Sequence, residues 1–151
     1  MTTDHEMSQQ EFQALAEFRY QLRRFLHFSE QVARAAGIEP QQHQLLLAIK
    51  GLPEGRTASV GELADRLQIQ HHSAVELINR TVERGLIERN RDENDQRRVL
   101  ISLTPFGDEI LSKLSLLHRI ELRTTGPALV QALLSLMDDH GNSIKKSEEK
   151  E

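Results

Sequence analysis

The chain has 151 residues, 38 % of them hydrophobic and 28 % charged, with a formal net charge of −4 at pH 7 and no cysteine. That length and balance suit one globular domain able to bury its own core, and they exclude a disordered chain. The missing cysteines exclude disulfides, thiolate metal sites, cysteine nucleophiles and a thiol-oxidation sensor, while the net charge argues against bulk attraction to nucleic acid but leaves room for a local basic surface.

The opening MTTDHEMSQQEF has no basic n-region and no apolar h-region, so no secretory signal is expected. No run approaches the ~18 apolar residues of a transmembrane helix. The expectation is a cytoplasmic protein without membrane contact. Residues 8–36 read as one long helix, because Leu15, Phe18, Leu22, Phe25, Leu26, Ser29, Val32, Ala33 and Ala36 recur at spacings of three and four. Gly37 stands where a left-handed residue would stop it. Phe12 and Phe18 add apolar area near the free end, so this helix needs a partner, either another helix or another subunit.

Pro40 fits the first turn of a second helix that runs to Lys50 and stops at Gly51. After the turn-rich LPEGRTASV, Ser59 and Glu62 have the spacing of a capping box and open the short helix GELADRLQ. A break at 68–70 leads to HHSAVELINRTVER, stopped by Gly85. Two short helices about a tight turn fit a helix-turn-helix, or an ordinary αα-hairpin. The period then changes. LIERNR and RRVLISLT are short and β-prone around the polar DENDQ, which predicts a β-hairpin. Thr104 can cap a following helix, with Pro105 at its first position and Asp108 and Glu109 at the positive end of its dipole. That helix runs through GDEILSKLSLLHRIELR. Gly126-Pro127 is expected to break or kink it, and ALVQALLSLM makes a last helix. The tail GNSIKKSEEKE is charged and expected to be disordered.

The fold class is therefore mainly α with a small β-hairpin, and a helix-turn-helix followed at once by a hairpin is a winged helix. LADRLQIQHHSAVELINRTVERGLIER resembles the helix-turn-helix of the MarR family of bacterial transcription regulators. NDQRRVLISLTPFG resembles that family's wing, an Asp-x-Arg followed by a strand, Leu-Thr and a Gly. The resemblance extends over the whole chain. It implies a single domain over 1–141, with a DNA-binding winged core at about 40–104, dimerisation helices at 8–36 and 105–138, and a tail at 142–151. It implies further a homodimer on a pseudo-palindromic operator, acting as a repressor that a small phenolic or lipophilic ligand relieves. Gln70, His71, His72 and Glu76 depart from the family's usual recognition-helix residues, so the base preference should differ.

A helix-turn-helix puts the start of its second helix against base edges in the major groove. Gln70, His71, His72, Ser73 and Glu76 occupy that place. Gln pairs with adenine, and Glu or Ser meets base amino groups. Adjacent histidines diverge on a helix, so at most one of His71 and His72 reads a base while the other meets phosphate, or both are merely exposed. They do not converge on a metal either, and no metal or other cofactor is expected. From Arg80 to Arg98 six arginines face five acids, so placement matters more than sum. Arg97 lies just past the hairpin turn, where it can enter a minor groove. In the resembling family an Asp holds that arginine, which assigns the roles to Asp95 and Arg97. The alternative is a solvated turn with a weak surface ion pair. Arg80 meets phosphate or braces the site, and Arg98 is a further candidate. A ligand pocket in this family lies between the dimer helices and the core, which makes Tyr20, Arg23, His27, His43, Leu47 and His118 its candidates. No phosphate-binding glycine loop, nucleophile elbow or metal spacing points to an enzyme. The rival is a winged helix that binds protein instead of double-stranded DNA.

Overall fold

A computed structural model describes residues 6–137. The expected tail at 142–151 lies outside them. The elements are α1 (Gln9–Ala35), α2 (Pro40–Lys50), α3 (Val60–Leu67), α4 (His71–Glu83), β1 (Ile87–Arg91), β2 (Val99–Leu103) and α5 (Pro105–Met137). This is the expected fold class of helices with one small antiparallel hairpin. The chain divides into two compact units. One is Ser29–Leu117 and the other joins the segment ending at Phe28 to the segment starting at His118.

Helix ends follow local chemistry. α1 opens on a reciprocal cap in which Ser8 N–H donates to Glu11 Oε2 at 2.6 Å and Glu11 N–H donates to Ser8 Oγ at 3.1 Å. At α3 only half of the expected box forms. Ser59 Oγ accepts the Glu62 N–H at 3.2 Å, but the Glu62 carboxylate turns to Arg66 at 3.3 Å and Arg56 at 3.8 Å. Two guanidiniums compete better for a carboxylate than one backbone N–H does. Three helices close on the paired bonds of a Schellman motif around a left-handed residue. These are Gly37 after α1, Gln68 after α3 and Gly85 after α4. Gln68 takes φ 53° despite its Cβ, and its own Nε2 donates to Asp65 O at 2.8 Å.

One expectation is corrected. α5 is a single helix of 33 residues that runs through Pro127, so the break or kink at Gly126-Pro127 does not divide it into two elements. Proline removes one donor, and the flanking turns retain theirs. One of those flanking carbonyls, Glu121 O, also accepts the Thr125 hydroxyl at 3.0 Å.

The core of the unit Ser29–Leu117 is apolar and drawn from every one of its elements. Ala33, Ile38, Leu45, Leu46, Leu63, Leu77, Ile78, Leu86, Ile87, Ile101, Leu111 and Leu114 pack in one cluster. β1 and β2 pair in register from Ile87 opposite Leu103 to Arg91 opposite Val99. β2 is also tied to the chain before α3, where Ile101 N–H donates to Ala58 O at 2.9 Å. The other unit is a contrast. Among its described residues the buried ones are Gln21 and Ala132, whereas Phe12, Ile120, Val130 and Met137 are 54 %, 53 %, 56 % and 64 % exposed. On α1 the stripe is real but incomplete. Ser29 and Ala33 are buried and Phe18, Leu22, Phe25 and Val32 half-buried, while Leu15, Leu26 and Ala36 are exposed.

Candidate nucleic-acid interface

α4 is a second helix of the helix-turn-helix because its apolar positions lie on one side. Ala74, Leu77, Ile78 and Thr81 are buried, and the Thr81 hydroxyl is absorbed by Leu77 O at 2.7 Å. That orientation leaves Gln70, His71, His72 and Glu76 exposed and Ser73 half-buried. Gln70 is the N-cap in extended backbone, yet its side chain makes no capping bond. Among the described residues none of these five side chains has an internal hydrogen bond or ion pair, so each keeps its donors and acceptors for an outside partner.

The hairpin loop from Asp92 to Arg98 is built from its own polar groups. Asp92 N–H donates to Arg98 O and Arg98 N–H to Asp95 O, both at 3.0 Å. Asn94 N–H donates to Asp92 Oδ1 and Arg97 N–H to Asp95 Oδ1, again at 3.0 Å, which are two successive Asx turns. The Arg91 guanidinium closes the loop on Gln96 O at 2.9 Å. Asp95 therefore holds the backbone of Arg97, not its guanidinium as expected. With one residue between them, the nearer donor is the backbone N–H.

The arginines sort by partner. Arg80 Nε meets Glu39 Oε2 at 3.3 Å, and Arg84 donates to Gly37 O at 2.6 Å. Arg89 on β1 donates to Asn79 Oδ1 on α4, and Arg98 donates to Thr57 Oγ1 at 2.8 Å. With Arg91 on Gln96, five of the six arginines between 80 and 98 are held by this chain. Arg97 has no hydrogen bond or ion pair to its side chain among the described residues, and it is exposed. Arg80, for which phosphate contact and bracing were both open, is paired here with the exposed carboxylate of Glu39. The partners Glu39, Asn79 and Thr57 were not singled out by sequence, because each becomes relevant only through a contact distant along the chain or across two elements.

The six ligand candidates are shared between the two units. Tyr20, Arg23, His27 and His118 belong to one unit, and His43 and Leu47 to the other. Tyr20 is exposed, with the Arg24 guanidinium 5.7 Å from its ring centre. Arg23 and His27 are exposed as well. His118 is half-buried and edge-on to Phe25 and Phe28, with ring centres at 5.9 and 5.5 Å. His43 is buried in the core of its unit, whereas Leu47 is exposed. A cleft between the start of α1 and the end of α5 is lined by Gln10, Gln13, Glu17, Gln131 and Ser135 with small residues, and it contains none of the six. Among the described residues no group of three His, Cys, Asp or Glu could hold a metal, and no helix is long and apolar enough to cross a membrane.

Comparison with known proteins bears on this geometry. A family model described as MarR family matches residues 36–98. The chain is 28 % identical over 96 residues to a putative transcriptional regulatory protein for the hcr operon of Thauera aromatica, covering 64 % of this chain and 56 % of that one. It is 38 % identical over 68 residues to the organic hydroperoxide resistance transcriptional regulator of Bacillus subtilis (strain 168), covering 45 % and 44 %. The chain thus spans about half the length of the curated relatives it matches. Its fold is similar to that of AbsC, a MarR family transcriptional regulator from Streptomyces coelicolor, with TM-score 0.70 and 20 % identity over 97 % of this chain and 99 % of that one. The matched stretch runs from just after α1 through the helix-turn-helix to Arg98 at the foot of β2, and over that stretch the chain is similar to the MarR family.

Proposed function

We propose that this chain is a DNA-binding transcription regulator, a repressor that binds a pseudo-palindromic operator as a homodimer. The observation that carries the reading is the arginine at the hairpin tip. Among the described residues the guanidinium of Arg97, alone of those of the six arginines from 80 to 98, has no internal partner, on a loop stiffened by two Asx turns and the Arg91–Gln96 bond. The neighbouring α4 presents five polar side chains that are equally unspent. A cation on a stiffened hairpin suits the narrow, negative minor groove, and the start of α4 suits the adjacent major groove. In this reading Gln70, His71, His72, Ser73 and Glu76 read bases or phosphates, Asp95 shapes the tip and Arg98 braces the hairpin base through Thr57. Both curated relatives carry regulator names, which supports the same reading.

Homodimerisation is supported by the apolar surface of α1 and α5 outside the winged core, where Phe12, Ile120, Val130 and Met137 face outward. An exposed apolar area of that kind on one chain calls for cover. Release, in this reading, comes from non-covalent binding of a small phenolic or lipophilic ligand, since the chain has no cysteine to oxidise. Selection of bound duplexes from a random pool tests the function. An enriched two-fold-symmetric sequence is expected, and a pool without enrichment would remove the reading.

A further inference from the structure

Arg80 on α4 and Arg84, the C-cap of that helix, are four residues apart and reach the same target, the elbow between α1 and α2. Arg84 bonds the carbonyl of Gly37, which ends α1 in left-handed backbone, at 2.6 Å. Arg80 bonds the carboxylate of Glu39, the N-cap of α2, at 3.3 Å. The elbow is stiff. The Glu39 N–H is held by Gln42 Oε1 at 3.0 Å, Gln42 is buried, and Pro40 fixes the backbone of the next residue. One residue before Arg80, Asn79 takes the guanidinium of Arg89 from the wing. The back half of the helix is thus gripped on the elbow by two side chains and on the hairpin by a third, while its first turn carries no such link.

We infer that Arg80 and Arg84 are positioning residues, a two-point clamp that sets the angle at which α4 presents its first turn, and that Arg80 does not contact phosphate. The inference rests on the DNA-binding reading for its consequence but not for its mechanics. A phosphate contact and a clamp predict opposite signs for loss of Glu39. Were Arg80 a phosphate ligand, Glu39 would compete with the DNA, and Glu39→Gln would tighten binding. For a clamp, Glu39→Gln loosens α4 and weakens binding although it removes a negative charge.

The test uses the full chain and its selected duplex. Glu39→Gln and Arg80→Gln should each weaken binding by about threefold, the scale of one exposed ion pair, with the dependence on salt unchanged in slope. The exchanged pair Arg80→Glu with Glu39→Arg should restore affinity, which a phosphate-contacting arginine could not permit. Amide hydrogen exchange over residues 80–86 reads the clamp without DNA, and it should speed up in both single variants and recover in the exchanged pair. Tighter binding by Glu39→Gln, or exchange unaltered in the single variants, overturns the clamp. A wild-type chain that selects no duplex removes the function instead, and the exchange measurement still decides the clamp.

Discussion

Gly107, in the first turn of α5, lies against the backbone of Leu86 so closely that a Cβ built on it would overlap the Leu86 carbonyl oxygen and stand 2.9 Å from its carbonyl carbon. The same carbonyl accepts the Thr104 N–H at 3.1 Å. Thr104 Oγ1 meanwhile donates to Gly85 O at 2.6 Å and accepts the Gly107 N–H at 3.1 Å. The start of α5 is therefore locked to the chain just after α4, and backbone on both sides leaves no room to yield. Gly107→Ala should destabilise the fold by about 2 kcal/mol, as overpacking does. For a chain of this size that lowers the melting temperature by roughly 4–8 °C. A calorimetric midpoint equal to wild type would show that α5 is not held this tightly.

Asp95 offers a finer test, because its observed bond goes to a backbone N–H. An amide oxygen accepts that bond as a carboxylate does. Asp95→Asn should therefore keep the Asx turn, and operator affinity should be no weaker than wild type, with one negative charge fewer near phosphate. Asp95→Ala, which removes the acceptor, should weaken binding by about threefold, the net worth of one hydrogen bond. If Asp95→Asn and Asp95→Ala weaken binding equally, the carboxylate acts on the Arg97 guanidinium after all.

Much of this was legible in the sequence. The helix-turn-helix and hairpin follow from periodicity and punctuation, and the Thr-Pro step marks the start of α5 within a residue. Arg97 stood out by its place past the hairpin turn and by the resemblance of NDQRR to a MarR wing. What escaped was pairing at a distance. Nothing local reveals that Arg80 meets Glu39 or that Arg98 meets Thr57, because such choices depend on which partners the fold brings within reach, whereas the Asx turn of Asp95 onto the Arg97 N–H is local. Pro127 misled for the reverse reason. A proline costs a helix one bond, and a long helix with intact turns on both sides absorbs it.

Salt dependence separates the arginines. The Arg97 side chain has no partner among the described residues, so Arg97→Ala should leave the denaturation midpoint unmoved while weakening operator binding. Each protomer loses about one cation at the DNA, so the slope of log affinity against log salt should fall by about one per protomer. Arg98→Ala, which breaks the bond to Thr57, should instead loosen the hairpin base and leave the slope near wild type. Equal slopes for wild type and Arg97→Ala in duplex titrations across a salt series would remove Arg97 from the interface.

The outward apolar residues of α5 give the last prediction. One recognition helix reads a few base pairs, and two set ~34 Å apart by a two-fold axis read a palindrome. If α1 and α5 pair between protomers, a charge on their exposed apolar positions must separate the chains. Ile120 and Val130 are both more than half exposed in the single chain, so Ile120→Glu and Val130→Glu leave the winged core intact, and helicity and the core's cooperative unfolding should persist. Sedimentation should show the double variant as a monomer. Its operator affinity should fall by at least about a hundredfold, because the second half-site then binds without the effective concentration that linkage supplies. A double variant that sediments as a dimer would place the protomer contact elsewhere. One that is monomeric yet binds the full operator as tightly as wild type would show that a single winged core is enough.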